Sequence, residues 1–316
     1  MKIVVLDAGT LGGDLPLERL GSLNCEVEIF SRTAPEQVAG RIEKCDIIIL
    51  NKVKLGPDNL AGADSLRLIC IAATGYDNID VKYCSRRGIS VCNVAGYSTD
   101  SVAQVTAATV LELATHIRAF NESVVSGEYT ASGLQNKLTP VYHEIAGRTW
   151  GIVGCGNIGG RVARIAEAFG CKVIVYKRRP DRRFECVALE ELCRRSDIIT
   201  VHTPLNAESC GLIGKNELSM MKDTVILVNE ARGAVLDEAA VCDAVENGVI
   251  GAFGCDVYSA EPLPETHPFQ RIKALPNVCL TPHMAWGAYE ARLRCLEEII
   301  ENIKAYINGK RRNAVN

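Results

Sequence analysis

Short apolar runs alternate with stretches of helical periodicity from the first residue onward. Residues 2–6, 26–30, 47–50, 68–72 and 90–93 are brief and rich in Val, Ile and Leu, which predicts buried strands rather than helices. A second series begins at 149 and continues at 172–176, 198–202, 224–229, 251–256 and 278–281. Strands that read as continuous apolar runs, with helical stretches between them, predict parallel sheets covered on both faces. The fold class expected is therefore α/β, with two doubly wound parallel-sheet modules. Two long amphipathic helices frame the second module. Residues 100–116 carry Val102, Val105, Ala108, Val110 and Leu113 at helical spacing, and are placed to carry the chain from the first module to the second. Residues 289–308 form the other, with no strand after them, so they are placed to return to the first module. Between these helices, 122–145 holds Gly127, Gly133 and Pro140 and little regular pattern. A structureless stretch of that length is expected to be functional or an arm between subunits.

The sharpest local signal lies mid-chain, at Gly154-Cys155-Gly156-Asn157-Ile158-Gly159. A strand precedes it. A helix follows, with Ile158, Val162, Ile165, Ala166 and Phe169 on one face. In that order, the first glycine permits a tight turn. The second lets a pyrophosphate approach the backbone, and the third lets helix pack on strand. The helix N-terminus then offers N–H groups to phosphate. A dinucleotide site is the reading. About 150 residues precede it, so another module is completed upstream. Gly9-Thr10-Leu11-Gly12-Gly13 lacks this spacing and reads as an ordinary loop.

Composition narrows the classes. The chain has 316 residues, 47% hydrophobic and 23% charged, with a net charge of −3, which gives no basic surface for nucleic acid. The 14 cysteines are scattered, many in apolar runs, with no C-x-x-C pair and few near a histidine at metal-ligand spacing. They read as buried thiols in a reducing compartment, and no metal is expected. The N-terminal apolar stretch is too short for a signal peptide, and no run approaches a membrane span. A cytoplasmic protein is expected.

Three ionisable residues follow strands of the second module, at the edge where ligands gather on an open parallel sheet. Arg232, in Asn229-Glu230-Ala231-Arg232-Gly233, is suited to grip a carboxylate with two hydrogen bonds. Glu261 lies in Asp256-Val257-Tyr258-Ser259-Ala260-Glu261-Pro262. His283, in Thr281-Pro282-His283, is a natural acid–base, and Glu261 is placed to hold its imidazole in one tautomer. The other histidines, His116, His143, His202 and His267, have no such company in the sequence. With a nicotinamide site, these three residues form a coherent set for hydride transfer to a 2-oxo acid, His283 supplying the proton and Arg232 holding the acid.

This ordered set, spread over essentially the whole chain, resembles the D-isomer-specific 2-hydroxyacid dehydrogenases. The resemblance implies a dinucleotide-binding domain inserted into a flavodoxin-like substrate domain, with 1–98 and 288–316 forming the substrate domain and 99–287 the nucleotide domain. It implies catalysis by Arg232, Glu261 and His283. Cofactor contacts are implied at Gly154, Gly156, Asn157, Ile158, Gly159, Thr203, Pro204, Ser209, Glu230, Ala231, Asp256 and Thr106. It also implies a homodimer, consistent with an arm at 122–145. Within the family the chain is most similar to glycerate dehydrogenases, also called hydroxypyruvate reductases. The signals are Met1 to Asp7, Ala72 to Asp80, Ala95-Gly96-Tyr97-Ser98 and Ala285-Trp286. That likeness places the substrate carboxylate at the backbone of Ala73, Thr74 and Gly75, with Asn51 and Lys52 at the rim and Trp286 shaping the pocket. The alternatives are a D-lactate-type or broad 2-ketoacid reductase and a dinucleotide-sensing corepressor-like scaffold. The formate dehydrogenase branch places glutamine where Glu261 stands.

Two positions depart from the family pattern. NAD-binding members place an acid after the second strand of the nucleotide domain, whereas here Tyr176 is followed by Lys177-Arg178-Arg179. A lost acid and gained cations suit a 2′-phosphate, which favours NADP over NAD. The other is Glu230, where many relatives carry a small residue. Its side chain is expected to point away from the nicotinamide and to make a structural hydrogen bond.

Overall fold

The computed structural model describes residues 1–179 and 183–316; Pro180, next to the cation run, lies outside them. The described chain divides into two compact units, residues 1–98 with 286–316, and residues 99–285. The return crossing falls at 285/286 rather than 287/288, so Trp286 and Gly287 belong to the first unit.

The first unit holds β1 (Lys2–Val5), β2 (Glu26–Ile29), β3 (Ile47–Leu50), β4 (Leu68–Ile71) and β5 (Ser90–Cys92). They are all parallel, in the order β2-β1-β3-β4-β5. β3 and β4 are buried at every position because both faces are covered, which is why they read as unbroken apolar runs. Alternation divides their side chains. Ile3, Val5, Ile47, Ile49, Leu68 and Cys70 face one core. Val4, Leu6, Ile48, Leu50, Ile69 and Ile71 face the other. The helix Tyr289–Ile307 closes the first of these with Ala291, Cys295, Leu296, Ile299, Ile300 and Ile303. The C-terminal residues then cover the β5 edge. Ala314 pairs with Cys92 in an antiparallel bridge, and Val315 N donates to Val91 O at 2.9 Å.

The second unit holds β6 (Thr149–Val153), β7 (Lys172–Tyr176), β8 (Glu185–Cys186), β9 (Ile198–Val201), β10 (Ile226–Asn229), β11 (Ala252–Cys255) and β12 (Val278–Leu280). The order is β12-β11-β10-β9-β6-β7-β8, with every pairing parallel. Six strands match the predicted runs. The seventh, β8, is two half-exposed or exposed residues with no apolar run, so it carries no sequence signal. The order reverses between β6 and β9, the switch point where such sheets bind ligands at their C-terminal edge. One face is covered by the helices Thr99–Thr115 and Asn157–Ala168. The other is covered by Leu189–Arg195, Lys215–Met220 and Glu238–Glu246. Trp150, fully buried on β6, satisfies its indole N–H on Thr200 Oγ1 at 3.1 Å.

The segment 122–145, expected to be irregular, is partly helical: it opens on the last turn of the helix Ile117–Val125 and contains the helix Glu128–Ser132. Apolar residues here face solvent: Ile117, Val124, Val125, Leu134, Leu138 and Val141 are each more than half exposed. None of the 14 cysteines forms a disulfide. Burial pushes the thiols of Cys45 and Cys193 up to about 12, which keeps them protonated and inert. Among the described residues no helix is long and apolar enough to cross a membrane, and no group of three His, Cys, Asp or Glu side chains could hold a metal ion.

Candidate active site

The glycine turn connects β6 to the helix Asn157–Ala168, and its three glycines answer to different constraints. Gly154 has φ +94°, and a Cβ there would lie 2.6 Å from Thr203 N. Gly159 packs so closely that a Cβ would sit on the Gly154 carbonyl oxygen. Gly156 has an ordinary φ of −87° and open space where its Cβ would be. Two glycines are therefore demanded by the protein's own packing, while Gly156 leaves room beside a helix N-terminus. The amides of Asn157 and Ile158, at that helix start, could hold the pyrophosphate of a dinucleotide there. Gly154 N donates to Tyr176 O at 2.9 Å, which fixes the turn beside the end of β7. Lys177, Arg178 and Arg179 follow there. Arg178 meets Glu208 at 2.7 Å, both about 70% exposed, an ion pair a ligand phosphate could outcompete.

Thr203 and Pro204 follow β9 at the same edge. Ser209 is buried and donates to Pro204 O at 2.6 Å while accepting from Asn206 N, so it sutures its own loop. Thr106 is fully buried and bonded to Val102 O at 2.8 Å within its helix. Neither hydroxyl is an open ligand donor in this arrangement. His202, at the end of β9, has no partner for either ring nitrogen among the described residues, and burial pulls its pKa down to about 3.

Arg232, Glu261 and His283 follow β10, β11 and β12, three adjacent parallel strands, and so share one edge. His283 Nδ1 lies 2.6 Å from Glu261 Oε2, and Glu261 Oε1 accepts from Tyr258 N at 3.1 Å. Nδ1 is committed to the carboxylate, which fixes the orientation of the ring. His283 adopts φ +53°, uncommon for a residue with a Cβ. Its loop is pinned by Asp256, which accepts from Thr281 Oγ1 at 2.6 Å and from the amides of Met284 and Ala285 at 2.8 Å each.

The turn bearing Arg232 is bracketed by buried Asn229, whose side chain donates to Arg232 O at 2.9 Å and accepts from Ala231 N at 3.1 Å. Arg232 Nη1 donates to Ala231 O at 2.8 Å. Gly233 admits the 258–259 backbone at a distance no side chain would allow. Glu230 departs from expectation. The residue is 7% exposed and its side chain is turned into the protein, yet neither oxygen has a well-formed hydrogen bond among the described residues, the Thr109 hydroxyl being the polar group that faces it.

A further correction concerns His267, which does have a carboxylate partner. Its Nε2 lies 3.0 Å from Glu238 Oε2, its Nδ1 accepts from Phe269 N at 3.2 Å, and Glu238 also bonds Ser259. Glu238 is 23 residues upstream of Glu261 on a different element, so no local spacing announces the pair. It buttresses the loop that carries Glu261.

In the first unit the predicted substrate residues cluster at the C-terminal edge of β3 and β4. Asn51 is buried and donates to Thr10 Oγ1 at 3.0 Å, while Lys52 is exposed. Asp7 organises this loop by accepting from the amides of Asn51 at 2.8 Å, Lys52 at 2.6 Å and Val53 at 3.2 Å. Only its position at the end of a strand marked it in the sequence. Thr74 donates to Val94 O at 3.0 Å, holding the Ala73–Gly75 turn. Trp286 packs edge-on to Tyr97, centroids 6.3 Å apart.

Residues 107–285 match the model of the D-isomer specific 2-hydroxyacid dehydrogenase family, NAD binding domain. The chain belongs to this family. It is 34% identical to a hydroxypyruvate reductase of Blautia hydrogenotrophica over the full length of both chains. It is also 34% identical to a glycerate dehydrogenase of Methylorubrum extorquens, covering 99% of this chain and 98% of that one. A solved structure of an acyclic imino acid reductase in complex with NADPH and D-Arg superposes with a TM-score of 0.89 at 31% identity, covering all of both chains. The dehydrogenase family accounts for the two parallel sheets and makes the protein an NAD(P)-dependent oxidoreductase rather than a scaffold.

Proposed function

We propose that the protein reduces a small 2-oxo acid, hydroxypyruvate or glyoxylate, to its D-2-hydroxy acid. The observation that carries this reading is the His283–Glu261 contact of 2.6 Å on the strand edge that also bears Arg232. A nicotinamide dinucleotide held at the glycine turn supplies the hydride. Protonated His283 delivers its proton from Nε2 to the substrate oxygen as negative charge develops there, and Glu261 steadies the imidazolium. Arg232 pairs with the substrate carboxylate and polarises the neighbouring carbonyl. On the first unit, the backbone turn of Ala73, Thr74 and Gly75 suits a carboxylate, with Asn51 and Lys52 at its rim and Trp286 shaping the size of the acid accepted. In the oxidative direction His283 starts neutral and takes the proton.

The cofactor is NADPH in preference to NADH, because Lys177, Arg178 and Arg179 stand where an acid would bind a free ribose. The apolar residues exposed between Ile117 and Val141 suit a homodimer arm, since a patch of that kind is costly to leave in water. Fourteen cysteines with no disulfide among them suit a reducing cytoplasm.

Initial rates with a panel of 2-oxo acids and both cofactors test this reading. Hydroxypyruvate or glyoxylate with NADPH is expected to give the highest kcat/KM. A larger value with NADH overturns the cofactor assignment, and a larger value with pyruvate overturns the substrate. Cofactor binding without any turnover overturns the enzyme reading itself.

A further inference from the structure

Glu230 has no part in the reaction as described, yet it occupies a costly position. It lies one step past Asn229–Cys255, the last registered pair of β10 and β11, so it stands beside Asp256 across the two strands. Val228 and Gly254, two residues earlier on each strand, pack against the helix Thr99–Thr115. Alternation therefore turns both acids toward that helix. Asp256, 1% exposed, accepts three hydrogen bonds, two of them from the amides of Met284 and Ala285. Glu230 accepts none.

The titratable groups acting around Glu230 are Cys255 on β11, Asp256 directly after it, and Cys279 on β12. The helix contributes the Thr109 hydroxyl, and β9 contributes the Val201 carbonyl, which accepts from Glu230 N. No cation acts on it among the described residues. Burial first, then the neighbouring Asp256, raise Glu230 well above the usual carboxylate range, with Thr109 opposing. Two adjacent buried carboxylates cannot both be charged cheaply, and the hydrogen-bond donors are all on Asp256.

We propose that Glu230 is a positioning residue that works as a neutral acid. Uncharged, it leaves Asp256 its grip on residues 284 and 285, directly after His283. On losing its proton it sets a second negative charge beside Asp256 and loosens that grip. Its catalytic consequence rests on the assignment of proton transfer to His283.

Oxidation of a D-2-hydroxy acid isolates the effect. In that direction His283 must be neutral, so its titration lifts the rate with pH to a plateau and cannot cause a later fall. Wild type is expected to lose kcat beyond a second, alkaline midpoint, by about tenfold per pH unit, while Glu230→Gln holds the plateau. The same alkaline fall in both proteins overturns the proposal. The melting temperature of the cofactor-free protein is a second readout, independent of turnover. Wild type is expected to lose Tm relative to Glu230→Gln as pH rises from about 6 to about 9, with the gap smallest near pH 5. A gap that does not change with pH overturns the proposal whatever His283 does, and a widening gap supports it even where the variant turns over poorly.

Discussion

His283 and Glu261 meet at 2.6 Å through Nδ1 and Oε2, while the other Glu261 oxygen is held by the Tyr258 amide. The carboxylate is thus fixed on one side by backbone and acts on the imidazole with the other. His283→Ala is expected to lower kcat by about 10²–10⁴-fold, the usual worth of a general acid. Glu261→Gln keeps a hydrogen-bonding group but loses the charge, and should cost less. Fluorescence titration with NADPH should give nearly unchanged affinity for both variants. Wild-type kcat in His283→Ala would remove His283 from the mechanism.

The glycine turn separates folding from binding. Gly156→Ala adds a methyl to open space at an ordinary φ, so its Tm should stay close to wild type while dinucleotide affinity drops. Gly159→Ala forces a methyl onto the Gly154 carbonyl and should destabilise the unit by about 1–3 kcal/mol. Thermal melts paired with cofactor titrations distinguish the two. A Gly156→Ala protein that binds dinucleotide as wild type would move the pyrophosphate elsewhere.

His202 predicts acid sensitivity. Burial depresses its pKa to about 3, whereas the unfolded chain takes up a proton near pH 6.5. The folded state binds fewer protons across that window. Stability is therefore present above about pH 6.5 and is lost as pH falls toward 3, at no more than about 1.4 kcal/mol per pH unit. His202→Phe should flatten this slope in denaturant unfolding between about pH 6 and pH 4, whatever its absolute stability. An equal slope in both proteins would mean that His202 is solvated. Glu230 contributes with the opposite slope above about pH 4.3, so the His202→Phe comparison is read as a difference between two proteins that both keep Glu230.

Much of the sheet framework was legible because buried parallel strands are nearly pure apolar runs. Ile47–Leu50 and Leu68–Ile71 have no polar position to confuse the reading. β8 was illegible because two residues at a sheet edge bury too little to need a pattern. The arm was misread as irregular because its apolar residues point to solvent, and the helical periodicity at Ile117–Val125 has no core to serve within the chain. Arg232, Glu261 and His283 stood out because strand ends concentrate chemistry. Asp7 and Glu238 did not, since each works through residues more than 20 positions away. Glu230 was visible as an oddity, but only coordinates reveal that both its oxygens lack partners.

The covalent order of the first unit has a consequence for synthesis. Its sheet is complete by residue 92, yet the helix that seals one face begins at Tyr289. A ribosome therefore emits all five strands, then the whole of the second unit, before the sealing helix appears. Throughout that interval Ile3, Val5, Ile47, Ile49 and Leu68 lack their cover from Leu296, Ile299 and Ile303. The nascent protein carries an unfinished hydrophobic wall until the helix Tyr289–Ile307 leaves the tunnel.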